Sequence, residues 1–466
     1  MKRKSTKFPR TVGLILTTGL LSFGTLAACG DGDGAATGGG CQLTFLASAD
    51  RPQAEQDGWK EVLAEFSSEY DCEVTAEFQG AWDEITQQVT AAQIAHEPID
   101  LFITSTATRD LAKAGLIMSL DNCIAGFEDR FIDSAMEPYN FGSKQWAVPM
   151  SSTDTSAIVY NADMFKELGI DPPTTYEELV AAGKTIRDAK GIVPMLHQGS
   201  SPWYWGMWFF GAFGQESGNQ SVQRTEDFLK GERRFDSPEE IAALADLAKF
   251  TEDGLLDQTT MATDLEGMRA ALVQGKTAMI YVLTPELINL RAAGPDFEIG
   301  IFQFPRVLSD PAIRQEVGGG PENGLAIASF TEPDNLEAAC QLVEYVSRPG
   351  GAASILEPIE PLVPSVKSVP VTQTEPLAPQ LNSQFIPNTV EFLDWIWPGQ
   401  INDAVRDAIT GVMFDGVDPA EAAAAVQEAF DRLVAEEDYQ FDWWADWDGA
   451  QWAKVEFPSG MKIEVG

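Results

Sequence analysis

Trp203, Tyr204, Trp205, Trp208, Phe209, Phe210 and Phe213 fall within eleven residues, directly after Gly199-Ser200-Ser201-Pro202. Aromatic rings this dense serve one of two purposes. At helical spacing they fill a core, and Trp205, Phe209 and the pair Trp208–Phe213 read that way. At the start of a helix they present a flat face on which the apolar side of a sugar ring stacks, leaving its hydroxyls to Asp, Glu, Asn and Arg at the edges. Trp203 and Tyr204, just after Pro202, are candidates for such stacking. So are Trp395 and Trp397, which follow a Pro-rich stretch, and Trp82, which follows Gly80 and opens a helical pattern. Trp443, Trp444, Trp447 and Trp452 read instead as docking the C-terminal tail onto a lobe.

Residues for covalent chemistry are scarce. The chain has two His, His96 and His197, a thin supply for general-base work with a nucleophile. His96, in a helix-ending His-Glu-Pro, reads as structural. No Gly-x-Ser-x-Gly elbow, His-Glu-x-x-His, phosphate loop or dinucleotide fingerprint occurs. Neither Cys-x-x-Cys spacing nor a calcium loop supports a metal site, and no cofactor is expected. Among 71 Asp and Glu some pairs must lie close, so acids alone do not specify a glycosidase.

Those candidates need a scaffold, and 466 residues suggest two or three folded units or one fold with two large lobes. A hydrophobic content of 44%, with 12 Trp and 26 Phe, is ample for a packed core. A formal charge of −40 argues against nucleic acid, whose phosphates are bound by Lys and Arg.

Lys2, Arg3, Lys4, Lys7 and Arg10 precede an uncharged, mostly apolar run from Thr11 to Ala28. This pattern reads as a signal peptide, residues 1–28. Leu26-Ala27-Ala28-Cys29-Gly30 resembles a bacterial lipobox, which implies lipidation of Cys29 and a place on the outer face of the cell membrane, held by lipid and not by a helix. Residues 29–40 then read as a flexible tether. That setting permits disulfides among Cys41, Cys72, Cys123 and Cys340. Cys41 and Cys72 each stand at the start of an apolar run, so two neighbouring parallel strands would bring them side by side. Cys41–Cys72 is the expected pair, and Cys123–Cys340 follows by elimination.

Leu43–Ala47, Val74–Phe78 and Ile99–Ile103 read as strands alternating with helices over Gln56–Tyr70 and Trp82–Ile94, a βαβαβ opening that calls for helices on both faces of a parallel sheet. Further helices are announced by a Thr175/Glu178 capping box, by Ser237-Pro238-Glu239-Glu240 and by Asp418-Pro419-Ala420-Glu421. Ala278–Val282, Ile299–Phe304 and Leu325–Ser329 read as later strands. Gly318-Gly319-Gly320 before Pro321 reads as an interruption, either a crossover with close ligand approach or a surface loop. The Pro-rich stretch after Gly350 reads as an extended strap.

Taken in order, several motifs resemble the extracellular solute-binding proteins of bacterial ABC importers, in particular the sugar- and oligosaccharide-binding branch. They are the lipobox, Ile99-Asp100-Leu101-Phe102, Asp110-Leu111-Ala112-Lys113-Ala114-Gly115-Leu116, Gln145-Trp146-Ala147-Val148-Pro149 with Ala157-Ile158-Val159-Tyr160-Asn161, and Leu272-Val273-Gln274-Gly275-Lys276-Thr277-Ala278-Met279. Ala338 to Pro349 and Asp418 to Leu433 extend the likeness. The resemblance implies an α/β, two-lobed periplasmic-binding-protein-like fold of class II, each lobe a mostly parallel sheet flanked by helices with a ligand cleft between. The first lobe would take residues 41–148 and 324–362, the second 149–320 and 366–466, with crossings near 146–152, 318–326 and 361–366.

The same resemblance puts Ser48, Asp50 and Arg51 in a first-lobe cleft loop, Thr104 and Ser105 at a strand end, Asp154 on a crossing strand and Glu322 and Asn323 at the second crossing. Trp203 and Trp397 are similar to the family's stacking aromatics. The chain departs where Val282-Leu283-Thr284-Pro285 replaces a frequent Gly-x-Trp. The implied function is non-enzymatic: a monomer captures a sugar or oligosaccharide, closes about its hinge and delivers the ligand to a membrane permease whose ATPase lies on other chains. A binding protein for glycerol phosphodiester or another polar solute is the alternative within this class, and a secreted glycoside hydrolase the alternative outside it.

Overall fold

The computed structural model describes residues 40–447 apart from 50, 52, 81–83, 105–106, 151–152, 322, 349–364, 368–374 and 438, and beyond 447 only residues 451 and 463. The leader, Cys29 and the expected tether up to residue 39 lie outside the described residues, as does Trp452.

The chain opens with β1 (Cys41–Ala47), α1 (Gln53–Tyr70), β2 (Cys72–Phe78), α2 (Ile85–Ala95) and β3 (Leu101–Thr104). Apolar residues at helical spacing put Trp59, Val62, Leu63 and Phe66 of α1 on the face of β1, where Trp59 stacks on Phe45 at 4.6 Å. On the other face Ile85, Val89 and Ala92 of α2 are buried. The helix ends at His96 in the left-handed conformation, φ 58°. β1 and β2 run parallel with Cys41 opposite Cys72, and these two form a disulfide with Cα atoms 4.5 Å apart. Cys123 and Cys340 form the second, at 5.5 Å.

After α3 (Thr108–Lys113), a hairpin of β4 (Asn140–Phe141) and β5 (Lys144–Gln145) leads to β6 (Val148–Pro149). The chain then leaves this sheet. The nine-residue β7 (Thr153–Asn161) belongs to a second sheet with β8 (Val193–Leu196), β9 (Thr277–Leu283), β10 (Ile299–Phe302), β11 (Val317–Pro321) and β13 (Thr389–Glu391). β12 (Gly324–Ile327) returns to the first sheet. The strand orders are β2-β1-β3-β12-β6 and β13-β11-β7-β9-β8, with β10 beside β7. Two lobes therefore form around two sheets, the chain passing from one to the other between Met150 and Thr153 and between Pro321 and Gly324. The third passage lies between Val366, bridged to Phe131 of the first lobe, and Glu375, ion-paired with Arg291 of the second at 3.0 Å.

The sheets are mixed. β1, β2 and β3 are parallel as a βαβαβ unit requires, but β12 is antiparallel to both β3 and β6 because it comes straight back from the other lobe without a crossover helix. The three glycines at 318–320 are not in a surface loop: they lie in β11, directly before the second passage. A Cβ on Gly318 would sit 2.5 Å from the Phe210 ring, and one on Gly319 would sit 2.3 Å from the Asp154 carbonyl, so neighbouring elements occupy the space a side chain needs.

The second lobe is centred on the Gly206–Glu216 helix, which is apolar all round and buried on all sides, as such a helix must be. Among the described residues no helix is long and apolar enough to cross a membrane, and no group of three metal-ligating side chains occurs.

Candidate functional site

The ends of β1 and β3 and the two short passages between the sheets converge. Where β1 ends, the buried Ser48 hydroxyl donates to the Gly80 carbonyl at 3.1 Å. Arg51 follows, 3% exposed. It is ion-paired with Glu55 one helical turn ahead, and its Nη2 donates to Asn323 Oδ1 at 2.9 Å. Asn323, also buried, lies in the second passage, and its carbonyl accepts from the Met150 amide in the first, at 2.8 Å. Thr104 at the end of β3 pairs in register with Gly324 and shares a 3.1 Å hydroxyl hydrogen bond with Thr108. On the far side of the passages Asp154 is fully buried on β7, opposite Gly320. Arg51, Thr104, Asn323 and Asp154, widely separated in sequence, are thus gathered around the inter-lobe passages by strand ends and crossings. Asp50, Trp82, Ser105 and Glu322 lie outside the described residues, as does the side chain of Trp203.

In the second lobe the Pro202–Trp205 turn stands shortly after the end of β8. Trp205 is held by an indole hydrogen bond to the Gly199 carbonyl, 3.0 Å, and half-buried Tyr204 lies with its ring 6.1 Å from that of His197. His197 is fully enclosed, with Nδ1 3.2 Å from the Tyr281 carbonyl, and burial pushes its pKa down to about 4. It is a neutral core imidazole at ordinary pH. Trp395 and Trp397 turn inward. Trp395 lies 5.8 Å from Tyr139, and Trp397, 6% exposed, lies 5.6 Å from Phe210 and 6.1 Å from Phe209.

Three polar positions had escaped the sequence reading. Gln198, buried just past the end of β8, has neither side-chain polar atom hydrogen-bonded. The carboxyl ends of sheet strands are where ligands approach in open α/β folds, so a polar residue directly after an apolar run was the available signal. The others are Glu391 on β13 and Arg109 on α3. Burial pushes Glu391 up to about 7 despite the nearby Arg109 charge, and the adjacent Asp394 is likewise raised to about 7 by burial. No local pattern marks these two, because what makes them unusual is the other lobe.

The arrangement suits non-covalent capture: hydrogen-bonding groups and the Arg51 guanidinium beside the inter-lobe passages, with no nucleophile–base pair among the gathered residues. Comparison with known proteins agrees. A family model described as bacterial extracellular solute-binding protein matches residues 52–353. The multiple sugar-binding protein of Streptococcus mutans is 24% identical over 280 residues, 58% of this chain and 62% of that protein, so the match spans less than two thirds of that relative. Among solved structures, a chitin oligosaccharide binding protein superposes with a TM-score of 0.71 at 15% identity, covering 85% of this chain and 100% of the other. The GacH receptor of Streptomyces glaucescens, studied unliganded and in complex with acarbose, gives 0.68 at 20% identity, covering 86% and 100%.

Proposed function

The chain belongs to the bacterial extracellular solute-binding proteins, and from that premise we propose that it captures a sugar or oligosaccharide between its lobes and hands it to a membrane permease. The family consists of binding proteins and places the chain outside the cytoplasm. Lipid anchoring through Cys29, action as a monomer and ATP hydrolysis on partner chains belong to the same proposal, as do the lobe limits 41–148 with 324–362 and 149–320 with 366–466, corrected at two ends: Pro149 pairs with Gly324 in the first sheet, and Val366 is bridged to Phe131 of the first lobe.

The observation that carries this reading is the convergence of Arg51, Thr104, Asn323 and Asp154 on the two inter-lobe passages. Groups that meet where two lobes join change their spacing when the lobes rotate, and a ligand touching both sides favours the arrangement that serves it best. Asp50, Ser105 and Glu322 border these residues in sequence, and Trp203 and Tyr204 stand at the strand end of the second lobe. In this proposal they complete the ligand's surroundings, with Trp82 as a further aromatic surface; Trp395 and Trp397, packed inward on Tyr139, Phe209 and Phe210, are left to the core. The carbohydrate preference is supported by what the named relatives bind.

A thermal-shift panel of mono- and oligosaccharides tests the proposal. A sugar present at a hundred times its Kd should add about 2.7 kcal/mol to stability, and Arg51→Ala should remove most of that gain. If no carbohydrate raises the melting temperature and X-ray scattering shows no compaction, sugar capture is wrong.

A further inference from the structure

The chain beyond the Pro419–Glu437 helix does not stay with the lobe that helix belongs to. Tyr439 packs on Phe430 of the helix at 6.0 Å, while Lys113 of α3 in the first lobe holds its ammonium 5.8 Å from the same ring. Phe441 lies between Lys230 of the second lobe, at 5.5 Å, and Arg109 of the first, at 5.1 Å. Trp444 meets Arg109 at 5.5 Å and Phe141 of the β4–β5 hairpin at 5.6 Å. Trp443 meets Phe141 edge-on at 6.4 Å.

Arg109 is the centre of this contact. Its guanidinium also faces Phe141 at 5.0 Å, and its buried Nη1 has no hydrogen-bond partner. The negative charges that act on it are Glu391 and Glu226 of the second lobe, with Asp110 on its own helix. A cation held by ring faces is stabilised only within about 6 Å of the ring centroid. The aromatic set therefore binds Arg109 in one arrangement of the lobes and releases it when they rotate apart by a few ångströms.

We propose that residues 439–447 are a strap stitched across both lobes, with Arg109 as its first-lobe buckle, and that the strap biases the equilibrium between lobe arrangements. Contacts made in one arrangement and lost in another shift that equilibrium by their difference alone. The strap lies outside the three passages that form the hinge, so it adjusts the balance without altering the pivot. Its effect on sugar affinity rests on the function proposed above; its effect on lobe spacing does not.

The test is a distance measurement on the full chain carrying Cys29→Ser. Spin labels are placed on the exposed Glu61 of α1 and the exposed Lys184 of the Tyr176–Lys190 helix, each changed to Cys. Without any sugar, Trp444→Ala and Arg109→Gln should each widen the inter-lobe distance distribution or add a second population, and Arg109→Lys should restore most of the original. Trp444 is half-buried; if its Ala variant does not fold, Trp444→Leu removes the ring face and keeps bulk. Distributions that stay unchanged in both variants, whatever happens to the melting temperature, overturn the strap. For a sugar that stabilises the protein, the same variants should change Kd by about fivefold or more. If no sugar binds, the function reading fails while the distance measurement still decides the strap.

Discussion

Behind the first sheet, the Leu336–Val346 helix is tied down by covalent and ionic links. Cys340 is bonded to Cys123, and the fully buried Glu344 pairs with Arg130 at 2.9 Å and with Arg348 at 2.6 Å. Behind the second sheet, the Gly206–Glu216 helix is held by rings. Trp208 stands edge-on to Phe250 and Tyr281, both at 5.0 Å, and Phe209 stacks on Phe213 at 4.9 Å and on Phe235 at 5.5 Å. Both disulfides lie in the first lobe. The first lobe thus adds covalent ties to its packed core, ties whose loss acts largely through the unfolded chain, while the second has no described disulfide and its central helix rests on close packing, whose loss leaves a void.

The contrast is most exposed at Trp208. Trp208→Ala should cost about 3–5 kcal/mol in chemical denaturation, with hydrogen-exchange protection lost in the second lobe and kept around β1 and β3. Equal loss in both would mean that the lobes unfold as one body and that the contrast has no energetic meaning. Next in size, replacing Cys123 and Cys340 together by Ala should cost about 2–5 kcal/mol, with the exchange pattern reversed and a reductant producing no further loss at that bond.

The smallest effect is a pH dependence. Glu391 and Asp394, raised to about 7 by burial, bind protons in the folded state that the unfolded chain releases near pH 4. Their contribution is present below that lower value and is lost as pH rises through about 7. His197, held near 4, acts in the opposite sense, weakening the fold as pH falls below about 6.5. Melting temperatures should therefore decline from pH 5 to 7 less in Glu391→Gln than in the parent; an identical decline would remove Glu391 from the account.

Elements set by local pattern were legible. The Thr175 capping box is present in full, the Asp418 carboxylate accepts from the Ala420 amide at 3.0 Å, and strand starts at Cys41 and Cys72 lie in register as the apolar runs implied. What pattern could not reveal is set by partners far along the chain. Gly318 and Gly319 of β11 are explained by Phe210, Phe392, Thr389 and Asp154, which crowd them, and Gly320 by its φ of 131°. Trp397 looked like a surface for a ligand because it follows a Pro-rich stretch, and only the fold shows Phe209 and Phe210 against it. Of the candidate site, Arg51, Thr104, Asp154 and Asn323 are suggested only by their place in a family pattern; their mutual approach depends on crossings that no periodicity encodes.

The position of β12 has a consequence for how the molecule is made. It is the strand between β3 and β6, yet it is translated long after both. A ribosome adding about 5–20 residues per second needs on the order of tens of seconds to go from β3 to β12. Throughout that interval the first half of the nascent polypeptide has an unfilled slot between β3 and β6, so it should emerge as a late folder that stays open to chaperones until the slot is filled.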